Sequence, residues 1–391
     1  VACVSVSAAL GGSERVLLEF ATRAAAHGVA AAVILPKPGP LLDALSAAGV
    51  AAAVAPAPER LLALSQRAKT KGGLGTLIGG LRAWSRAIAA ALPPGTRVLY
   101  SNGFKAHLAC ATIQGFRRVW HLHEFPPART GSAWRMFAST VPRTTIAISR
   151  AVARAWRVPR LLEPAVVLNG VDLDRYRPAA RTGWLHEALS LPPGARLIGM
   201  PAVFARWKGQ LEVVEAFERA APQLPDVHLA IVGGPIHDTV AERGYAQELV
   251  RRVARTSTAG DGTPQPLNGR IHFLRFEPEP WRLYPEFDVV VHYSTRPEPF
   301  GRVVAESLAC GTPAIAAGAG GPLEILEDGV SGWLVPPNDA AALASAMVRA
   351  MGTDLAPLKA AARRRAEKRF SADRQAAEAA RVLRRAAGHG G

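Results

Sequence analysis

The sequence predicts an α/β chain of two doubly wound parallel-sheet domains, and three observations predict it. Short apolar runs alternate with longer amphipathic ones along the chain, the rhythm of repeating βα units. A Pro- and Gly-containing stretch at 178–194 breaks that rhythm, which restarts at Arg196. A length of 391 residues, 49% of them apolar, supplies enough side chains for two separate cores.

In the first domain, 1–177, the expected strands are Val1–Ser7, Ala30–Leu35, Val50–Val54, Arg97–Ser101, Arg118–Leu122, Thr144–Ile148 and Val166–Leu168. Glu14–His27 reads as a helix because Val16, Leu17, Phe20 and Ala24 fall near one face, with Gly28 past the end. Residues 178–194, which carry Leu191-Pro192-Pro193-Gly194, are the expected linker. The second domain, 195–370, has expected strands at Arg196–Val203, Val227–Val232, Ile271–Leu274, Val289–Tyr293, Pro313–Ala317 and Trp333–Val335. Thr256–Gly269, rich in Gly, Pro, Thr and Asn, reads as a mobile loop. A basic helix at 371–387 is expected to pack back on the first domain. Ligands of doubly wound sheets bind outside the carboxyl ends of the strands, so the site is expected where the two domains face each other.

Composition excludes several function classes. Cys3, Cys110 and Cys310 lie far apart with no CxxC pair, which argues against a disulfide framework or a zinc knuckle and suits buried, inert thiols. No run approaches the roughly 20 apolar residues of a membrane span. The N-terminal VACVSVSAAL has no basic flank and reads as a strand, not a signal peptide. The expected location is the cytoplasm. The net charge of +16 is uneven: residues 1–180 hold 22 Lys/Arg against 8 Asp/Glu, and the remainder is nearly balanced. The basic half suits an acidic acceptor or peripheral attachment to anionic lipid at the inner membrane face. Arg60, Arg67, Lys69, Lys71, Arg82 and Arg86 around Trp84 offer such a surface, although a packed helix with a solvated basic face is the plainer reading. Nucleic acid is not expected, because the interleaved aromatic residues it needs are sparse.

The densest signal is DVVVHYSTRPEPFGRVVAESLACGTPAIAAGAGG. A strand ending at Tyr293 leads into Pro297-Glu298-Pro299-Phe300-Gly301 and then a helix with Val303, Val304, Leu308 and Ala309 as apolar positions. Pro299 holds Glu298 extended directly before the helix start. The amides of Phe300 and Gly301 then face an anion, aided by the helix dipole. Glu298 is expected exposed in the loop, ready to accept from sugar hydroxyls. Glu306 stands among Val304, Ala305 and Leu308, and a buried carboxylate needs donors, either ribose hydroxyls or Arg302. The turn Gly318–Gly321 follows the next strand and offers further backbone amides to a diphosphate.

Glu298 and Glu306, seven residues apart and followed by ACGTPAIAAGAGG, resemble the E-x7-E signature of the GT4 family of retaining glycosyltransferases. The resemblance covers nearly the whole chain and is most specific at 288–336. It implies the GT-B fold, two Rossmann-like domains facing across a cleft, and a nucleoside-diphosphate sugar as donor, with UDP-sugar preferred over GDP-mannose. It implies that Glu298 contacts the donor sugar and Glu306 the ribose, with Phe300 and Gly301 at sugar or phosphate and Pro299 and Arg302 beside them. It also implies a front-face reaction with neither metal nor cofactor. The acceptor is open among glycolipid, polysaccharide and small natural product. An epimerase or hydrolase of the same fold, or a non-catalytic binding protein for nucleotide sugar or nucleic acid, remains the alternative.

Other motifs add weaker signals. Arg206-Trp207-Lys208-Gly209 follows the first strand of the second domain and can neutralise a diphosphate. The family places its Arg at the positions held here by Ala202 and Val203, so Arg206 is its candidate substitute and Lys208 the firmer assignment. Gly233 resembles the family's glycine turn, and Arg275 stands where the family has Gly, near the expected nucleobase pocket. Leu10-Gly11-Gly12-Ser13-Glu14 lacks the G-x-G-x-x-G spacing of a dinucleotide site, which disfavours NAD. It resembles the GGxE turn of the family, with Gly11 and Gly12 near donor phosphate and acceptor. His121 and His123 share one side of a strand. The pair lacks a third metal ligand, and the resemblance puts His123, with Glu124 beside it, against the sugar or the acceptor. Asp172-Leu173-Asp174 reads as structural.

Overall fold

The computed structural model describes residues 1–63, 73–128, 130–142, 144–234, 240–256, 267 and 269–388. Arg67, Lys69, Lys71 and most of the expected loop at 256–269 lie outside the described residues. The chain divides into two compact units, one of residues 1–170 with 371–391 and one of residues 171–370.

The first unit is a seven-stranded, all-parallel sheet in the order β3-β2-β1-β4-β5-β6-β7. Its strands are β1 (Ala2–Ser5), β2 (Ala32–Leu35), β3 (Ala52–Val54), β4 (Val98–Asn102), β5 (Arg117–Leu122), β6 (Thr144–Ala147) and β7 (Ala165–Val166). Near-continuous apolar runs such as Val98-Leu99-Tyr100 suit strands covered on both faces. The helix Gly12–Arg23 buries Val16, Leu17 and Phe20 at helical spacing.

The terminal helix Ala372–Ala386 also belongs to this unit. Ser371 caps it by accepting from the Arg374 amide at 3.1 Å, Asp373 lies in its first turn, and Arg384 and Arg385 lie in its last, as the helix dipole favours. Ala376, Ala379, Ala380 and Leu383 form its buried stripe. Trp84 is fully buried and donates to the Ala55 carbonyl at 3.1 Å, while Arg82 and Arg86 are exposed. The 73–90 helix therefore packs on its own unit with a solvated basic face.

The second unit is a six-stranded, all-parallel sheet in the order β10-β9-β8-β11-β12-β13. The strands are β8 (Arg196–Pro201), β9 (Val227–Val232), β10 (Ile271–Leu274), β11 (Val289–His292), β12 (Ala314–Ala317) and β13 (Gly332–Val335). Phe217, Val291, Tyr293, Ile315 and Met347 lie in its core. Residues 178–194, expected as a linker, are instead part of this unit. The buried Glu286 carboxylate accepts from the Thr182 amide and hydroxyl at 2.8 and 2.7 Å and from the Gly183 amide at 3.1 Å, which ties the segment down.

Strand order reverses between β1 and β4 in one unit and between β8 and β11 in the other. Such reversals open a crevice at the carboxyl ends of the strands. The motifs of interest follow β1, β4 and β5, and β8 and β11.

Candidate functional site

In the second unit the chain leaving β8 forms a short 3-10 turn, Arg206–Lys208, and reverses at Gly209. Gly209 has φ +74°, and a Cβ there would strike the Tyr293 carbonyl, so no other residue fits without moving the end of β11. The turn aims Lys208 at Glu298, with Nζ 2.8 Å from Oε2. Ser294 donates to the same oxygen at 2.7 Å, and Nε2 of His292 stands 3.4 Å away. Trp207 lies under the ammonium, 4.0 Å from ring centroid to Nζ.

Glu298 is thus buried, 9% exposed, and not the solvated loop acid that the sequence suggests. Lys208, from the turn after β8, is the partner that the local sequence cannot reveal, whereas His292 and Ser294 lie at the end of β11. Burial pushes its carboxyl up, but the Lys208 charge and then His292 outweigh that and hold it well below the usual carboxylate range. All three neighbours crowd Oε2. Among the described residues Oε1 has no partner, which leaves one charged acceptor to offer.

The loop at 297–301 is sewn to the turn at 318–321. The Glu298 amide donates to the Ala319 carbonyl at 3.1 Å, and the Gly321 amide donates to the Glu298 carbonyl at 2.8 Å. Gly320, at φ +80°, lies so close that a Cβ would strike the Glu298 carbonyl. Gly301, in the left-handed region, caps the helix Arg302–Ala309. Among the described residues the amides of Phe300 and Gly301 have no acceptor, as is usual where a helix starts. The Gly318–Gly321 turn, by contrast, spends amides on this stitching.

Glu306 is met by protein donors, with Arg302 one of the two donors expected for it. Oε1 is 3.0 Å from Arg302 Nε, and Oε2 accepts from the buried Tyr284 hydroxyl at 2.7 Å. Arg302 is thereby a partner of Glu306. Other expected residues lie apart from the pair. The exposed Arg206 forms an ion pair with Glu248 and lies over the Tyr245 ring at 5.1 Å, so it is not beside Lys208. Arg275 is exposed past the end of β10. Gly233 has a packing reason for being glycine, since a Cβ would strike the Ala202 carbonyl.

In the first unit Gly11 precedes, and Gly12 opens, the helix after β1. Glu14 is buried in its first turn and accepts from Ser13 Oγ at 2.9 Å. Burial raises its carboxyl, and the Ser13 bond only partly offsets that. Asn102, at the end of β4, reaches the Ser13 carbonyl at 3.4 Å. His121 and His123 do share a side, with Nε2 of His123 2.9 Å from Nδ1 of His121. Glu124 is exposed, and its carbonyl accepts from the Trp156 indole at 2.7 Å.

Sequence reasoning missed Tyr100, Tyr284, His292 and Ser294 as partners of these groups. His292 carried a signal, a polar residue closing the apolar run Val289-Val290-Val291; Tyr284 carried none, because only the fold brings it to Glu306. Asp172 accepts from the amides of Asp174 and Arg175 at 3.1 and 3.3 Å, a local turn as expected. The three cysteines are buried and free. Among the described residues no group of three or more His, Cys, Asp or Glu side chains is placed to hold a metal, and no helix is long and apolar enough to cross a membrane.

Residues 185–369 match the family described as glycosyl transferases group 1. A D-inositol 3-phosphate glycosyltransferase of Mycolicibacterium gilvum is 34% identical over 189 residues, which are 48% of this chain and 39% of that protein. A second, from Catenulispora acidiphila, is 32% identical over 191 residues, 47% of this chain and 41% of its own length. The matched stretch therefore spans about two fifths of the length of these curated relatives. Over the whole fold, the crystal structure of Anabaena HepE in complex with UDP and glucose is similar at a TM-score of 0.78 and 25% identity, covering 98% of each chain. The sucrose-phosphate synthase of Thermosynechococcus elongatus shares the fold at a TM-score of 0.75 and 21% identity, also over 98% of each chain.

Proposed function

We propose that the chain, whose residues 185–369 match the glycosyl transferases group 1 family and which has the GT-B fold, is a retaining, metal-independent glycosyltransferase using a UDP-sugar. The observation that carries this reading is the Lys208–Glu298 pair at the β8–β11 strand reversal, beside the unpaired amides of Phe300 and Gly301. An ammonium and two amides suit a diphosphate leaving group, and a carboxylate with one uncommitted oxygen suits a sugar hydroxyl. HepE, which has been crystallised with UDP, with UDP-glucose and with UDP plus glucose, supports the choice of base.

In the proposed reaction the bond from the anomeric carbon to the donor phosphate oxygen breaks. The acceptor oxygen bonds to the same face of the sugar, and the acceptor proton passes to the departing phosphate. Lys208 and the helix-start amides stabilise the charge that develops on that phosphate. Glu298 orients the sugar through Oε1, while Lys208 and Ser294 hold Oε2. The surplus of positive charge before residue 180 suits an anionic acceptor or membrane surface.

Calorimetry with UDP and UDP-sugars, followed by product analysis with hydroxyl acceptors and EDTA present, tests the reading. UDP uptake and EDTA-resistant transfer are expected. Replacing Glu298 with Gln should leave UDP affinity nearly unchanged and lower kcat by about 10²-fold, the order of one lost transition-state contact. A chain that takes up no nucleoside diphosphate, or a Glu298→Gln variant with full turnover, would sink the proposal.

A further inference from the structure

Near their carboxyl ends, β1, β4 and β5 lay a polar row across one face of the first unit's sheet. Ser5 is the register partner of Asn102, and Asn102 that of His121, so the three side chains leave the sheet on the same side. All three are buried. The row lies beside the reversal of strand order between β1 and β4, where a doubly wound sheet opens its crevice. The first turn of the helix Gly12–Arg23 meets it there. The Ser13 carbonyl accepts from Nδ2 of Asn102 at 3.4 Å, and the Ser13 hydroxyl donates to the buried Glu14 at 2.9 Å. Gly11 and Gly12, exposed and without side chains, and the partly open His123 are the next residues outward.

Two members of the row are not matched within the protein. Ser5 gives its hydroxyl to the Ser7 carbonyl at 3.0 Å. Oδ1 of Asn102 and Nε2 of His121 are buried, and among the described residues neither has a hydrogen-bond partner. Apolar side chains would close the row without stranding a polar atom, so two unmatched groups side by side point to something that binds them. The chemistry of that group follows from what each atom needs. The Ser13 carbonyl takes a hydrogen of the Asn102 amide, which turns Oδ1 away from it and leaves Oδ1 in need of a donor. Nε2 of His121 offers a hydrogen in one tautomer and a lone pair in the other. A hydroxyl meets both demands whichever tautomer is present, because it donates and accepts. A phosphate or carboxylate oxygen has nothing to donate to Oδ1. The wall is also close to neutral, since burial pushes the Glu14 carboxyl up and His121 far below the usual histidine range.

We infer that Asn102 and His121, under the Ser13–Glu14 turn, form a subsite for an uncharged, hydroxyl-bearing group of the sugar or polyol class, held by the first unit alone. The subsite deepens the glycosyl-transfer reading by naming the chemistry received at the edge opposite in character to the Lys208–Glu298 pair. It rests on that reading only for calling the hydroxyl-bearing group an acceptor. It also gives a physical reason for an asparagine and a histidine near the ends of strands that are otherwise apolar.

Saturation-transfer difference NMR on the full chain, with and without saturating UDP, tests the subsite. D-Glucose and myo-inositol are the probes, and inorganic phosphate and methylamine are the charged controls. Saturable uptake of at least one polyol is expected, in at least one of the two arms. Asn102→Leu and His121→Phe should each weaken it about tenfold, the scale of one hydrogen bond, and leave UDP affinity at the wild-type level. His121→Gln, which keeps a polar group able to donate or accept near the place of Nε2, should recover most of the loss. No polyol uptake in either arm would mean that the row holds only water, and the inference falls. Polyol uptake that neither Asn102→Leu nor His121→Phe weakens, or equal impairment in His121→Phe and His121→Gln, rejects the assignment to these residues. Phosphate or methylamine taken up at saturating UDP, and lost in Asn102→Leu, rejects the chemical class. If Asn102→Leu does not fold, Asn102→Ala decides by the same readout. A wild-type chain that takes up polyol but no UDP would sink the donor reading and leave this subsite standing.

Discussion

The two units reverse strand order at equivalent places, beside β1–β4 and beside β8–β11, and they equip those places in opposite ways. At the second reversal the buried acids are matched by donors: Glu298 by Lys208, and Glu306 by Arg302 and the Tyr284 hydroxyl. At the first the buried groups are polar but pushed toward neutrality. Burial raises the Glu14 carboxyl, lowers His121, and brings His107, stacked 4.5 Å from Trp120, down to about 3. Glu14 and Glu298 are the same residue type with similar exposure, yet they shift in opposite directions. Burial alone does not set the charge of a site; a cation placed within hydrogen-bond reach does. The charged edge suits a diphosphate, and the neutral edge suits hydroxyl groups.

The most damaging way to break this contrast is to remove the cation. Lys208→Met leaves a buried carboxylate with only hydroxyl and imidazole neighbours. Stripping one partner from such a pair costs about 3–5 kcal/mol, and losing a leaving-group contact costs about 10²–10³-fold in kcat. Urea unfolding and transfer assays should show both losses together. A Lys208→Met protein with wild-type stability and turnover would mean that the pair neither holds the site nor works in it.

A sharper test uses the two glutamates against each other. The Glu298 carboxyl is depressed in the fold, so its contribution to stability is present above the ordinary value of 4.5 and is lost as pH falls below it toward the folded value. The stability deficit of Glu298→Gln should therefore be largest near neutrality and shrink as pH falls through that window. The Glu14 carboxyl is raised, so its contribution is full below 4.5 and is lost as pH rises through the folded value. Glu14→Gln should accordingly gain on the wild type as pH rises. Unfolding free energies from acid to neutral pH read both trends. Parallel slopes for the two variants would erase the distinction between the two edges.

Much of this was legible in the sequence, for a physical reason. A βα repeat announces itself through the period of its apolar residues, and Pro299, Gly301 and Gly320 mark turns by their own backbone limits. The environment of Glu298 was not legible, because Lys208 is 90 residues away in the chain and the loop around the acid is polar. Nor was the satisfaction of Glu306 by Tyr284, 22 residues upstream in a short 3-10 helix. The division of the chain was also misread at 178–194: proline and glycine signalled a break in rhythm, but Glu286 fastens the segment to the second unit. Local pattern reports backbone and burial, whereas pairing across elements is tertiary.

The smallest expected effect belongs to Arg206, and it tests which cation meets the phosphate. Arg206 and Lys208 are two residues apart in one 3-10 turn, but Lys208 is turned into the crevice toward Glu298 while Arg206 is exposed against Glu248 and Tyr245. An exposed pair of this kind adds little to stability, because water screens it and two long side chains lose freedom to make it. Arg206→Ala should therefore leave the melting temperature, UDP affinity and turnover at their wild-type levels. Calorimetry on the single variant is sufficient. A clear loss of UDP affinity, with the melting temperature unchanged, would mean that Arg206 leaves Glu248 when the diphosphate arrives, and the charged edge would then hold its ligand with two cations instead of one.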